Sequence, residues 1–315
     1  MNLNHYKDRA FPHRHLLSLQ SYTQDDIMQV LAKAVELKAM QKAGTPHALC
    51  AGKALAMIFT KPSARTRVSF DVGFAQLGGH TMYLTDAEIG LGTRESVPDV
   101  ARVLSRMVDG IMIRTFSHSD VMGLAEYGSV PVINGLTDDF HPCQALADFL
   151  TLYEHKGTLA GRKLVYVGDG NNVAHSLLMC GPKLGVSVTI ACPPDYQPNT
   201  DIVLDARAAA QHNATVEISH DPMRAVQDAD AVYTDVWTSM GQEAEKQMRL
   251  NAFGGFTVTQ AMMARAKPDA IFMHCLPAHR GEEVAEDVID SPCSVVFDEA
   301  ENRLHAQKAV MALLI

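Results

Sequence analysis

The spacing of apolar residues changes period repeatedly along the chain, and each change predicts an element. Thr23 can cap a helix in which Ile27, Val30, Leu31, Ala34 and Leu37 recur at i, i+3, i+4 and i+7. From Lys53 onward short apolar runs alternate with helical stretches. Strands are predicted over ALAMIF (54–59), 81–84, 110–115 and 130–135, with helices over 65–77, 97–108 and 119–127. A helical stretch from about Gln144 to Glu154 leads into the loop KGTLAGR, after which the pattern restarts. There LVYVGD, SVTIAC, TVEIS, AVYTDV and AIFMHCL read as strands, with helices over 172–184, 201–212 and 222–227. The final stretch, Asn302 to Ile315, reads as an amphipathic helix. Unbroken apolar strands alternating with helices mean parallel sheets covered on both faces. The predicted fold class is therefore α/β: two tandem doubly wound domains, each with a mainly parallel sheet flanked by helices. Their expected limits are 1–148, with the helix 302–315 packing back on it, and 149–301.

Length agrees with two domains, since 315 residues exceed one ordinary domain. With 47% hydrophobic and 20% charged residues the composition is that of a globular protein, not of a disordered or fibrous one. Thirty-six acidic against 27 basic residues leave a net charge of −9, which argues against a nucleic-acid partner. A few converging arginines can still build a positive pocket for a small anion. No apolar run reaches the ~18 residues needed to cross a bilayer, so no membrane partner is expected. Met1 to Leu19 carries Lys7, Arg9 and Arg14 but no apolar h-region, and Asp8 and the shortage of serines argue against a transit peptide. The six cysteines (50, 143, 180, 192, 275 and 293) form no CxxC pair, which reads as reduced cytoplasmic thiols without a zinc site.

Candidate chemistry sits where apolar runs end, since ligands of open α/β sheets lie beyond the carboxyl ends of strands. Ser63-Ala64-Arg65-Thr66-Arg67 follows a strand and opens a helix; its hydroxyls, arginines and free N–H groups can cradle a phosphate, or simply cap the helix. Arg114, ending the strand GIMIRT, can polarise a carbonyl, or lie as a surface arginine after an edge strand. His141 and Gln144 stand one turn apart at a helix start and can face one ligand; no second ligand cluster supports a metal there. Gly168-Asp169-Gly170-Asn171-Asn172-Val173 has the placement of a dinucleotide fingerprint. Yet Val173 replaces its third glycine, and the next strand ends in Ala191-Cys192-Pro193 with no acid for a ribose, which argues against NAD. What remains are two asparagine amides at a strand end, suited to a zwitterionic or amide-bearing ligand. Asp235, heading the segment that runs to Glu243, can hold an ammonium or cap a helix, and the Cys of His274-Cys275-Leu276-Pro277 by itself reads as core.

Taken together, in this order and at these intervals, the six segments resemble the transcarbamylase family from about His15 to the C-terminus, and specifically its ornithine-using branch. Ser63-x-Arg-Thr-Arg and His141-Pro-x-Gln144 resemble its carbamoyl-phosphate motifs, which aspartate-using members share. Gly168-Asp-Gly-Asn-Asn, the Ser239-Met240-Gly241 core and His274-Cys-Leu-Pro resemble the ornithine signature.

The resemblance implies that Ser63, Ala64, Arg65 and Thr66, through side chains and backbone amides, bind the phosphate, while Arg114, His141, Gln144 and Arg303 surround the carbamoyl group. Cys275 and Leu276 would offer backbone oxygens to the carbamoyl nitrogen, and Asn172, Asp235, Ser239 and Met240 would hold the amino acid between domains. Arg114, His141, Asp235, Cys275 and Arg303 would carry the catalysis. The partners implied are the small molecules carbamoyl phosphate and L-ornithine, with no metal or organic cofactor, and the implied assembly is a homotrimer. Two positions depart from the family pattern. Ala64 stands where many members carry Thr, leaving only a backbone amide, and Gly90 stands where members often have Gln or His reaching a neighbouring subunit, so no residue of that loop is assigned. Rival readings are a carbamoyltransferase for putrescine or an N-acylated ornithine, which the intact Ser-Met-Gly disfavours, and an inactive ligand-binding homologue.

Overall fold

The structure is a computed structural model that describes residues 3–6 and 9–315. Lys7 and Asp8, used in reading the N-terminus, and the side chain of Glu243 lie outside the described residues. The chain forms two compact units, one running to Leu150 and completed by Asn302–Ile315, the other spanning Thr151–Glu301.

In the first unit α1 (Gln24–Lys42) starts from a capping box at Thr23, whose hydroxyl accepts from the Asp26 N–H while the Asp26 carboxylate accepts from the Thr23 backbone. Strands β1 (Ala54–Phe59), β2 (His80–Thr85), β3 (Gly110–Arg114) and β4 (Val132–Leu136) follow, with α2 (Ala64–Gln76), α3 (Asp86–Ile89), α4 (Val97–Leu104), α5 (His118–Tyr127) and α6 (Pro142–Lys156) between and after them. The four strands are all parallel, in the order β2-β1-β3-β4. Ile58, Ile111, Ile113 and Val132 meet Val100, Val121 and Leu124 in a buried cluster, which explains the unbroken apolar runs. Leu16 bridges in parallel to Ile133 of β4.

The second unit carries β5 (Lys163–Val167), α7 (Asn172–Cys180), β6 (Ser187–Ala191), α8 (Thr200–Ala208), β7 (Val216–Ser219), α9 (Pro222–Ala225), β8 (Ala231–Thr234), α10 (Lys246–Ala252), α11 (Gln260–Met263), β9 (Ile271–His274) and α12 (Glu286–Ile289). Its five parallel strands run β7-β6-β5-β8-β9. Trp237, Phe253 and Phe272 centre its core. Helix α13 (Val296–Leu314) begins six residues before the amphipathic stretch expected from Asn302, and its last two-thirds belong to the first unit.

Most boundaries fall within a few residues of the periodicity reading. Helix α8 stops at Ala208, and a helix reaching residue 212 is excluded because His212 and Asn213 take left-handed φ values of 52° and 59°. Helix α7 ends at Cys180 instead of 184, where Gly181 and Pro182 break it into a 3₁₀ turn. No helix among the described residues is long and apolar enough to cross a membrane.

In each sheet the chain reverses its direction of strand addition once. The reversal lies between β1 and β3 in one unit and between β5 and β8 in the other. The crevice beyond the carboxyl ends of such a strand pair is where open α/β sheets bind ligands.

Candidate active site

The first switch point is flanked by the end of β1, which leads to Ser63, and by Arg114, the last residue of β3. Ser63 is the N-cap of α2, its hydroxyl accepting from the Thr66 N–H at 3.3 Å. The cap thus occupies the same helix start that the sequence offers as a phosphate cradle, where helix N–H groups and the dipole favour an anion. Ala64 and Arg65 are exposed there, whereas Thr66 is buried.

Arg303 on α13 returns to this unit and is the hub of its polar interior. Its guanidinium donates to Gln144 Oε1 (2.7 Å), Thr66 Oγ1 (3.3 Å) and Gln307 Oε1 (3.1 Å). Gln144 in turn donates to Asp148 Oδ1 at 2.8 Å. Residues far apart in sequence and singled out separately, Thr66, Gln144 and Arg303, are therefore in direct contact. His141 lies buried beside them, and its imidazole is held well below the ordinary histidine range, first by burial, then by the positive charges of Arg303, Arg114 and Lys61. At neutral pH this ring is uncharged and carries a single N–H. Lys61 is one residue that sequence reasoning missed. It is almost fully buried, pairs with Asp138 at 2.9 Å and lies 4.7 Å over the Phe116 ring. Its only signal was a lysine between the end of β1 and Pro62.

The second switch point lies beyond β5 and β8. Asn171 is the N-cap of α7, its carbonyl oxygen accepting from the Val173 and Ala174 N–H groups (2.9 and 3.2 Å), and its amide donates to Asp235 Oδ2 at 3.1 Å. One of the two amides read as ligand groups is thus committed to structure, leaving Asn172 at the first position of the helix. Asp235, buried just past β8, accepts on Oδ1 from the Cys275 thiol at 3.0 Å and the Val236 N–H at 2.8 Å. Cys275 and Leu276 follow β9, and Leu276 has a left-handed φ of 57°. Ser239 and Met240 lie in a tight turn in which Ser239 and Gln242 exchange hydrogen bonds of 3.0 Å. Met240 is exposed.

Arg249, absent from the sequence reading, ties that turn down. It donates to Asp169 (2.8 Å), the Trp237 carbonyl (3.1 Å) and Glu245 (2.9 Å), and stacks over Tyr196. Burial raises the Asp169 carboxyl to about 6, a shift that Arg249 opposes. Asp235, His274 and Cys275 each offer one ligand atom within 4.8 Å of the others. Both imidazole nitrogens of His274 are engaged, with the Leu276 N–H and with Glu283, so only two ligands remain, fewer than zinc takes from a protein.

One unit thus presents converging cations and helix N–H groups, as an anionic group donor requires, and the other a carboxylate, amides and a thiol, as an amine acceptor requires. These features define a group-transfer enzyme. The chain belongs to the aspartate/ornithine carbamoyltransferase family: residues 14–154 match that family's carbamoyl-P binding domain and residues 160–314 its Asp/Orn binding domain. It is 59% identical over 303 residues to the ornithine carbamoyltransferase of Pyrococcus abyssi, covering 96% of both chains. It is 57% identical, with the same coverage, to the ornithine carbamoyltransferase of Pyrococcus furiosus described as anabolic. Among solved structures, the Pyrococcus furiosus ornithine carbamoyltransferase superposes with a TM-score of 0.94 at 57% identity, covering 97% of this chain and 98% of that one. The anabolic enzyme of Campylobacter jejuni gives a TM-score of 0.90 at 36% identity, covering 96% and 99%.

Proposed function

We infer that this carbamoyltransferase moves the carbamoyl group of carbamoyl phosphate to the δ-amine of L-ornithine, giving L-citrulline and phosphate for arginine biosynthesis. The observation that carries the choice of acceptor is Asp235, held at the second switch point by Asn171 and Cys275, in a chain 57–59% identical over its length to ornithine carbamoyltransferases. The full-length identity and the word anabolic in two relatives' descriptions support the biosynthetic direction.

In this reading Ser63, Arg65, Thr66 and the amide of Ala64 receive the phosphate, and Arg114, His141, Gln144 and Arg303 the carbamoyl group. Asn172, Asp235, Ser239 and Met240 hold the amino acid, with the backbone oxygens of Cys275 and Leu276 on the carbamoyl nitrogen. An alkylamine of pKa ~10.4 is mostly protonated at neutral pH, so the δ-nitrogen must shed a proton before it attacks. Its lone pair then forms the new C–N bond while the carbonyl pair moves onto oxygen. There Arg114, Thr66 and the neutral, N–H-bearing His141 stabilise the charge. Collapse breaks the C–O bond; phosphate departs toward Arg65 carrying that electron pair and takes up the proton that the new C–N nitrogen gives up. We further propose a cytoplasmic homotrimer; six free thiols support a reducing compartment.

The test is citrulline formation from carbamoyl phosphate with ornithine, putrescine, N-acetylornithine or aspartate offered separately, at neutral and alkaline pH. Turnover with ornithine alone, rising as the amine deprotonates, is expected. Preference for another amine would overturn the acceptor, and binding without turnover would favour an inactive homologue.

A further inference from the structure

The second unit contains a buried acid–imidazole pair that the reaction as described does not use. His274, the last residue of β9, and Glu283 are both fully buried, with His274 Nε2 3.0 Å from Glu283 Oε1. The other ring nitrogen, Nδ1, lies 2.9 Å from the backbone nitrogen of Leu276. A backbone N–H only donates, so Nδ1 must be the bare, accepting nitrogen. The ring proton is then on Nε2, donated to Glu283, whose same oxygen also accepts the His279 N–H at 2.6 Å. Three contacts therefore select a single tautomer. The strand end is anchored separately, since the His274 N–H donates to Glu299 Oε2 at 3.0 Å and the Tyr233 hydroxyl donates to Glu299 Oε1 at 3.2 Å.

The Leu276 N–H belongs to the planar Cys275–Leu276 peptide. In a trans peptide the carbonyl points opposite to the N–H, so whatever fixes the Leu276 N–H also aims the Cys275 carbonyl oxygen. Leu276 itself sits at φ 57°, a region an L-residue holds only when its surroundings dictate it.

We propose that His274 and Glu283 are positioning residues for carbamoyl transfer. Glu283 selects the Nε2–H tautomer of His274, and the bare Nδ1 then holds the Leu276 N–H and aims the Cys275 carbonyl oxygen at the carbamoyl nitrogen. The inference rests on the carbamoyltransferase reading, which gives the Cys275 oxygen something to meet.

Two substitutions separate this role from a merely structural one, because each keeps one end of the ring. In His274→Asn the side-chain oxygen replaces Nδ1 and still accepts from Leu276, but Glu283 loses the imidazole donor and keeps only the His279 N–H. His274→Gln reaches Glu283 and leaves the Leu276 N–H without its acceptor. The expected result is a split between stability and affinity: each variant loses one buried hydrogen bond and both melt lower, yet the Asn variant keeps its KM for carbamoyl phosphate within a few-fold, whereas in the Gln variant that KM rises roughly 10- to 100-fold. Activity that merely follows melting temperature across the pair, or equal KM values, would overturn the proposal.

Glu283→Gln keeps an acceptor for both N–H groups and should leave KM near normal, while a folded Glu283→Met with unchanged KM would also overturn it. Neutron diffraction of the wild-type protein reads the tautomer directly: a proton on Nε2 supports the relay, and one on Nδ1 removes it. A wild type that transfers no carbamoyl group would sink the functional reading instead, and the neutron result would still decide the relay.

Discussion

Gly170 offers the sharpest test of how the second half-site is built. A Cβ at this position would lie 2.1 Å from the Pro198 nitrogen, 2.4 Å from the Gln197 carbonyl carbon and 2.7 Å from Pro198 Cα. To reach an ordinary contact near 3.4 Å, the two backbones would have to part by roughly 1.3 Å. The obstructing segment is held on both sides. Gly170 N–H donates to the Tyr196 carbonyl at 2.8 Å, the Asn199 N–H donates to His175 Nε2 at 3.1 Å, and the Asn199 side chain caps α8. Because backbone rather than a pliant side chain must move, Gly170→Ala is expected to cost about 1 to 3 kcal/mol, toward the upper end. Each kcal/mol corresponds to a drop of roughly 2 to 4 °C in Tm for a domain of this size. The neighbouring Asn171 clasps Asp235, so KM for ornithine should rise more than KM for carbamoyl phosphate. Gly254→Ala is the control, since its Cβ would meet nothing nearer than 3.4 Å. Paired urea and thermal melts measure the difference. If Gly170→Ala unfolds within about 0.5 kcal/mol of wild type, the close approach of the two backbones is refuted.

Two further outcomes follow from the first unit. The folded state holds His141 below the ~6.5 of an unfolded imidazole, so the unfolded chain binds the extra proton first as pH falls. Stability should therefore be full above about pH 6.5 and decline below it by up to ~1.4 kcal/mol per pH unit for this group. Urea midpoints between pH 5 and 8 should fall less steeply in His141→Gln, and identical slopes would contradict the burial argument. Arg303→Met removes the donor shared by Gln144, Thr66 and Gln307, and should lower turnover by ~10² to 10³; steady-state kinetics near wild type would remove Arg303 from the carbamoyl-binding set.

The sequence by itself determined the fold class, because a parallel sheet covered on both faces leaves a repeating mark of unbroken apolar runs alternating with helical stretches. It also marked the chemistry at strand ends. The helix start at Ser63, the last residue of β3 at Arg114 and Asp235 just past β8 all lie beside a point where strand order reverses. Local signals carried these, since caps, strand ends and turns are written in adjacent residues. Only the tertiary structure decided what touches what. Arg303 is 159 residues from Gln144 and 237 from Thr66, and no periodicity states that α13 carries it back to them. Lys61 and Arg249 look like ordinary surface cations in the sequence, yet one is buried close to His141 and the other ties Asp169 to the Trp237 carbonyl. The same holds for His274 and Glu283, whose roles depend on which ring nitrogen meets a backbone N–H. Burial and charge convergence are properties of position in space, and only a packed chain assigns them.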